Sequence, residues 1–320
     1  MTRVEITPLA APPEADLAAM TFPVYRPLLD LEPASRHPEQ GDPRRIQPLG
    51  FVARVGARPV GLVLGELPLG ADGTPEMLSL FVIPELRRNG IGRALVAALE
   101  AGVARRGFDG IAAVYTAGKP GIAGLERILW RRQWLAPETR TISVRFPPAA
   151  ALASELFAER RMAALAAGLE LFAWRELGAE EKAAIRAGDE RHPWITPALA
   201  FWRFEGAGFD PDSSVGARLH GEVVAWVLNH RVAPGVVRFT CSFMRKDISR
   251  RGRIIPLYRE SLRRLVAAGC HQATFVTPVV YPNMIRFIQR WLVPIADFVG
   301  ETRGSRKRLA GEPEGPVSAP

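Results

Sequence analysis

Cysteine is nearly absent from this chain: Cys241 and Cys270 are the only two in 320 residues. Two thiols among five scattered histidines give neither a disulfide framework nor a Cys-x-x-Cys ligand pair. No metal is expected, and both thiols read as small buried hydrophobes. Lysine is scarce too, with four (119, 182, 246 and 307) among 42 basic residues, so arginine carries the positive charge. Long apolar runs are missing, and nothing approaches the ~18 residues of a spanning helix. The opening residues, Met1-Thr2-Arg3-Val4-Glu5-Ile6, hold an acid and no apolar stretch of signal-peptide length. A soluble, cytoplasmic protein is expected.

A hydrophobic content of 48% excludes a mostly disordered chain. At about 150 residues per domain, the length suggests two domains. The net charge of +9 permits an anionic ligand. Arginine-rich, lysine-poor composition also follows from a GC-rich genome, so charge alone does not establish nucleic-acid binding.

An internal repeat organises the chain. Val55-Gly56-Ala57-Arg58 and Val215-Gly216-Ala217-Arg218 both read as part of a hairpin. Downstream, a spacing of 162 maps Phe81 to Phe243, Gly90 to Gly252, Leu95 to Leu257, Gly107 to Gly269 and Val114 to Val276. Each half predicts the same order. A strand (77–83 or 237–244) runs into an Arg/Gly turn, then an amphipathic helix with Leu95, Val96, Leu99 and Val103, or Ile255, Tyr258, Leu262, Leu265 and Val266, on one face. A strand (111–116 or 273–277), a helix (121–133 or 282–291) and a final strand (139–146 or 295–302) come next. The boundary is expected at Pro147-Pro148-Ala149-Ala150, with domains at 1–148 and 149–308 and a helical stretch over 152–167. The Pro/Gly-rich tail, 309–320, is expected to be disordered. The proline-rich segment 33–48 reads as a loop near a cleft.

One turn carries chemistry. In Leu80-Phe81-Val82-Ile83-Pro84-Glu85-Leu86-Arg87-Arg88-Asn89-Gly90-Ile91-Gly92-Arg93-Ala94, an apolar strand ends at a proline and a basic, glycine-containing turn opens onto a helix. The first N–H groups of a helix lack intrahelical partners and carry partial positive charge. Glycines at 90 and 92 let backbone approach an anion, and Arg87, Arg88 and Arg93 add charge around it. These parts make a pyrophosphate cradle.

These residues resemble the GNAT superfamily of acyl-CoA-dependent N-acyltransferases, whose signature is Arg/Gln-x-x-Gly-x-Gly/Ala between a strand and a helix. Arg87-Arg88-Asn89-Gly90-Ile91-Gly92 satisfies it, behind Leu80, Val82 and Pro84 of the usual strand. The resemblance implies two tandem GNAT-like α/β domains, each a mixed, mostly antiparallel twisted sheet flanked by helices. It implies acetyl-CoA or another acyl-CoA as co-substrate, held by Leu80, Phe81, Val82 and Arg87 through Ala94 (Arg87, Arg88, Asn89, Gly90, Ile91, Gly92, Arg93, Ala94). The second copy departs from the pattern, with Ser249 in place of Arg87 and Ile254 in place of Gly92, while Arg250, Arg251 and Arg253 keep positive charge. Loss of coenzyme A binding there is expected.

The resemblance further implies an oxyanion donor N–H near Phe81 or Val82. It implies a general base on the strand, where Glu76 is the available carboxylate, acting directly or through water; the alternative is an exposed loop residue. The family's general acid is a Tyr in a pattern Leu-Tyr-x-x-x-Gly-Phe. Leu129-Trp130-Arg131-Arg132-Gln133-Trp134 stands there instead, so Trp130 is assigned to the donor site. Tyr115 is the substitute acid, unless the thiolate departs unaided or the unit binds without turnover. Trp194, Phe201, Trp202, Phe204 and Phe209 read as core or as an apolar acceptor or acyl pocket, and His230 and His271 as structural.

The expected function is acyl transfer, acetyl by default, from coenzyme A to an amine of a small molecule or peptide. The alternative is a non-catalytic acyl-CoA-binding or carrier-interacting regulatory protein. Nucleic acid is not expected as a partner: Arg303, Arg306, Lys307 and Arg308 cluster near the tail, but no recognition helix accompanies them. Nothing in the sequence assigns an oligomeric state.

Overall fold

The computed structural model describes residues 3–36, 44–70, 73–249 and 252–309. The chain forms two compact units. One comprises the residues up to Arg140 together with those from Thr302; the other is built from Thr141–Glu301.

In the first unit the strand order is β1 (Val4–Pro8), β3 (Arg44–Val55), β4 (Arg58–Pro68), β5 (Glu76–Val82), β6 (Gly110–Thr116) and β13 (Phe298–Arg308), with β2 (Ala34–Arg36) paired to β3. These neighbours run antiparallel except β5 and β6, which are parallel. Helix α1 (Ile91–Ala104) lays Ile91, Leu95, Val96, Leu99 and Val103 onto the sheet, the i, i+4 spacing that makes one face apolar. Helix α2 (Ile122–Arg131) adds Leu125, Ile128 and Leu129 to the same core. Two 3-10 segments, Ala15–Met20 and Pro23–Asp30, bring in Leu17, Met20 and Leu29.

The second unit repeats the plan in the order β7 (Glu138–Phe146), β12 (Gln272–Pro278), β11 (Val236–Met244), β10 (Glu222–Ala233), β9 (Val215–Leu219) and β8 (Leu169–Ala173), again with one parallel pair, β11 and β12. Its helices are α3 (Pro148–Leu152), α4 (Glu159–Ala166), α5 (Ala179–Arg191), α6 (Ile255–Ala267) and α7 (Pro282–Phe287), which continues as a π turn over Ile288–Leu292. Cys241 and Cys270 are buried free thiols. Phe172, Trp174, Phe201, Trp226 and Phe243 form a buried core against which Trp194, Trp202, Phe204 and Phe209 pack.

The closing strands depart from the linear halves. Thr141–Phe146 of β7 pair with β12 of the second unit, and Thr302–Arg308 of β13 pair with β6 of the first. The parallel β6 would otherwise present an open edge, and β13 covers it. The proline pair expected as a boundary instead opens α3. The basic residues read as a tail cluster lie in β13, where Lys307 and Arg303 pair with Glu100 and Glu126. Leu309 is buried, and its N–H donates to Asp109 O at 2.7 Å; the remainder of the expected disordered tail, 310–320, lies outside the described residues. Segment 33–48, expected as a loop, supplies β2 and the first five residues of β3, while 37–43 lies outside the described residues.

The hairpin repeat is also re-registered. Gly56-Ala57 is the β3–β4 turn, whereas Val215–Arg218 lies inside β9 and the β9–β10 turn is His220-Gly221. The two Val-Gly-Ala-Arg matches are coincidental. Equivalent turns are 164 residues apart, and a spacing of 162 holds from β5 onward.

Candidate active site

Strand β5 changes partners along its length. Glu76 and Met77 pair in parallel with Ala112 and Ala113 of β6, and Ala112 N–H donates to Pro75 O at 2.8 Å. Past Met77 the two strands separate. A bulge lies at that point: Leu64 is opposite Ser79 and Gly65 opposite Met77, so Leu78 is the extra residue. A bulge kinks a strand and re-aims the residues beyond it.

The ladder fixes which peptide groups face the opening. Ile83 N–H donates to Val60 O at 3.0 Å, and the register continues through Val82–Gly61, Phe81–Leu62 and Leu80–Val63. Peptide groups alternate sides along an antiparallel strand. Phe81 therefore turns its N–H and C=O to β4, and Leu80 and Val82 turn theirs to the opening. Of the two oxyanion donors expected from sequence, the Val82 N–H faces the opening and the Phe81 N–H does not.

The turn after β5 is held open. Arg87 folds back, its Nε donating to Val82 O at 2.9 Å and its guanidinium lying 5.9 Å from the Phe81 ring centre. Arg88 and Gly90 both take left-handed backbone angles (φ 67° and 83°), which reverse the chain into α1. Gly90 is the N-cap and no side chain caps it. Ala94 N–H makes the first intrahelical bond, to Gly90 O, so the N–H groups ahead of it have no helical acceptor. Arg87, Arg88, Asn89, Gly90, Arg93 and Ala94 are exposed, while Ile91 is buried in the core. Gly92 faces α2: a Cβ there would stand 3.0 Å from Ile128 Cδ1, the tip of a flexible side chain.

The other assigned residues differ in burial and in partners. Glu76 is half-buried at the start of β5, directly opposite the buried Glu66 on β4, a carboxylate that no sequence motif marks. Leu80, on β5, has its side chain beside Gly92. Tyr115 is half-buried on β6, and its hydroxyl donates to Glu126 at 3.0 Å; Glu126 also accepts from Arg303 at 3.1 Å. Burial and the Glu126 carboxylate push the Tyr115 pKa well above the usual phenol range. Trp130 is 75% exposed on α2. The end of α2 explains why. Gln133 is left-handed (φ 61°), Trp134 N–H donates to Leu129 O and Gln133 N–H to Trp130 O, the paired bonds of a Schellman motif. Gln133 thus holds the position of the pattern's glycine, and the residue four before it is the buried Leu129, not Trp130.

The second unit keeps the framework and packs larger, aromatic side chains beside the point where its strands part. Leu228 is opposite Cys241 and Asn229 opposite Phe239, so Thr240 is the bulge, and parallel pairing with β12 ends at Phe239–Phe275. Phe239 and Phe275 stack at 4.8 Å, with Tyr258 5.8 and 5.5 Å from them and Phe287 5.9 Å from Tyr258. At the equivalent positions the first unit has Met77, Ala113, Val96 and Leu125. Helix α6 begins only at Ile255, with Pro256, which has no N–H, in its first turn. Arg253 is bonded to the carbonyls of Leu165 and Ala167; Arg250 and Arg251 lie outside the described residues. Pro193, Trp194, Ile195 and Lys246 help line an open hollow of about 500 Å³, also in this unit.

Among the described residues no group of three His, Cys, Asp or Glu is placed to hold a metal ion, and no helix is long and apolar enough to cross a membrane. Residues 16–127 match the acetyltransferase (GNAT) family. No curated protein matches the sequence significantly. Among solved structures, a tandem GNAT protein from the clavulanic acid biosynthesis pathway aligns over 96% of this chain and 99% of its own, at 16% identity and a TM-score of 0.61. A glucosamine N-acetyltransferase region of a fungal multi-domain β-N-acetylglucosaminidase aligns over 96% of this chain and 38% of its own, at 12% identity and a TM-score of 0.60. A GCN5-related N-acetyltransferase from Sphaerobacter thermophilus aligns over 81% and 80%, at 16% identity and a TM-score of 0.51. Residues 16–127 thus carry a GNAT acetyltransferase domain, and the fold of the whole chain is that of a tandem GNAT protein.

Proposed function

We propose that the chain transfers an acyl group, acetyl by default, from coenzyme A to an amine of a small molecule or peptide, with the donor held in the first unit. The observation that carries this reading is the contrast between the two openings. Beside the first, the core holds Met77, Val96, Ala113 and Leu125, and the strand leads to an uncapped α1; the second carries the larger Phe239, Tyr258, Phe275 and Phe287 at the same places.

In this reading the donor's amide-rich arm pairs with the peptide groups of Leu80 and Val82, and its pyrophosphate rests on the first turn of α1 between Arg88 and Arg93. The Val82 N–H stabilises the oxyanion, a fixed donor that needs no reorganisation during reaction. Glu76, beside the point where the strands part, takes the amine proton directly or through water. A placed general base of this kind contributes ~10²–10⁴-fold.

The test is calorimetric titration with acetyl-CoA and a long-chain acyl-CoA. One site per chain is expected, with affinity reduced at least tenfold by Gly92→Ile, in a variant whose circular dichroism matches the parent. Two sites, or none, would overturn the assignment to the first unit.

A second reading, donor binding without turnover, draws on the Tyr115 hydroxyl being held by Glu126 and on Leu129 at the tyrosine position. Thiol release from acetyl-CoA across an amine panel separates the two readings: amine-dependent release supports transfer, and tight binding with no release supports the binding protein.

A further inference from the structure

The second unit retains reactive side chains at the place where the first unit has its carboxylates. In the first unit Glu66 on β4 is opposite Glu76 on β5, two residues before the bulge at Leu78. In the second, His230 on β10 is opposite Arg238 on β11, two residues before the bulge at Thr240. The bulge residue differs in more than chemistry. Leu78 is buried, whereas Thr240 is exposed. Its Oγ lies 3.0 Å from His230 Nδ1, with donor and acceptor set by the imidazole tautomer, and its hydroxyl also donates to Arg238 O at a longer 3.3 Å.

His230 is only 7% exposed. It is bracketed by Phe209, whose ring is 5.8 Å away, and Thr240. Burial is the chief cause that lowers its pKa; Arg238 acts in the same direction, and the Phe204 carbonyl and Asp210 act against it. A neutral imidazole next to an accessible hydroxyl is the arrangement that activates serine and threonine nucleophiles. Residues directly opposite on adjacent strands share a face, so the Arg238 charge stands on the same side as His230.

We propose that Thr240 and His230 form a nucleophile–base pair in the second unit that accepts a short acyl group from a small activated ester or thioester. The Thr240 Oγ–carbon bond forms as the ester C–O or thioester C–S bond breaks. The hydroxyl proton passes to His230 Nδ1 in the tautomer protonated at Nε2. From the imidazolium it goes to the departing thiolate, or to solvent when the leaving group is a phenolate. Arg238 balances the oxyanion of the tetrahedral intermediate. Water then hydrolyses the acyl-threonine, releasing the acid and restoring the hydroxyl. The larger aromatic side chains packed beside the point where the strands part favour a small donor over a large one.

The test uses the full chain with p-nitrophenyl acetate and, separately, S-acetyl-N-acetylcysteamine, quenched in acid and mapped by peptide mass spectrometry. With only four lysines in the chain, background acetylation is low. An acetyl group is expected on Thr240, retained in Thr240→Ser, absent in Thr240→Val and formed at least tenfold more slowly in His230→Asn, each variant checked by its thermal melt. Labelling by one probe but not the other identifies ester or thioester as the donor. No acetyl on Thr240 from either probe, or labelling that His230→Asn leaves unchanged, would overturn the proposal.

Discussion

Glu100 shows how one buried charge is kept in this protein. Its carboxylate on α1 accepts from Arg132 at 2.6 Å, Trp134 Nε1 at 2.8 Å and Lys307 at 2.5 Å. Burial alone would raise its pKa; the bonds from Arg132, Lys307 and Trp134 outweigh that and leave it lowered. The carboxylate's contribution is therefore present above the unfolded carboxylate range and is lost as pH falls through the lower, folded value. Urea midpoints measured from pH 7 downward should drop in the parent over that window and change less in Glu100→Gln. At pH 7 Glu100→Gln should lose about 3 kcal/mol, because Lys307 and Arg132 are left without their carboxylate. Gln133 gives the opposite sign. A non-glycine residue in the left-handed region costs about 1 kcal/mol, so Gln133→Gly should raise the urea midpoint. Its place after α2 was not legible in sequence, because the pattern glycine is missing, and without that marker the motif slips by one residue onto Trp130.

At the scale of elements, the site is a strand, a bulge and a helix start. Arg87 ties the end of β5 to the turn through Val82 O. Arg87→Ala removes an exposed hydrogen bond that holds the turn against β5, and donor affinity in calorimetry should fall at least tenfold with little change in the melt. The strand, the turn and the helix were legible because hydrophobic period and the Arg-x-x-Gly-x-Gly spacing are local properties. The bulge was not. Leu78 looks like any apolar strand residue, and only its mismatch with β4 shows that the peptide groups beyond it change sides. The same limit hid Glu66, which sits ten residues and a turn away from Glu76 and faces it only through cross-strand register.

At the scale of the molecule, the first unit is completed by β13, the last strand among the described residues. A fragment ending at Phe146 would lack β13 and with it Lys307, which bonds Glu100. Residues 1–146 alone should aggregate or melt without cooperativity. A rearranged chain that joins residues 298–309 through a glycine-rich linker to residues 1–140 should melt cooperatively, read by circular dichroism, and should recover donor binding by calorimetry.

The sequence by itself determined the duplicated α/β plan, the basic glycine turn before α1 and the loss of its pattern in the second copy. Each depends on residues near one another in the chain, so periodicity and spacing record them. Tertiary structure alone decided which strand closes which unit, which peptide groups face the opening, and what packs beside its counterpart. Phe239, Tyr258, Phe275 and Phe287 are spread over 49 positions and look like ordinary core residues until the strands and α6 bring their rings together. Long-range pairing sets those contacts, and a single sequence carries no local mark of the partner a strand will take.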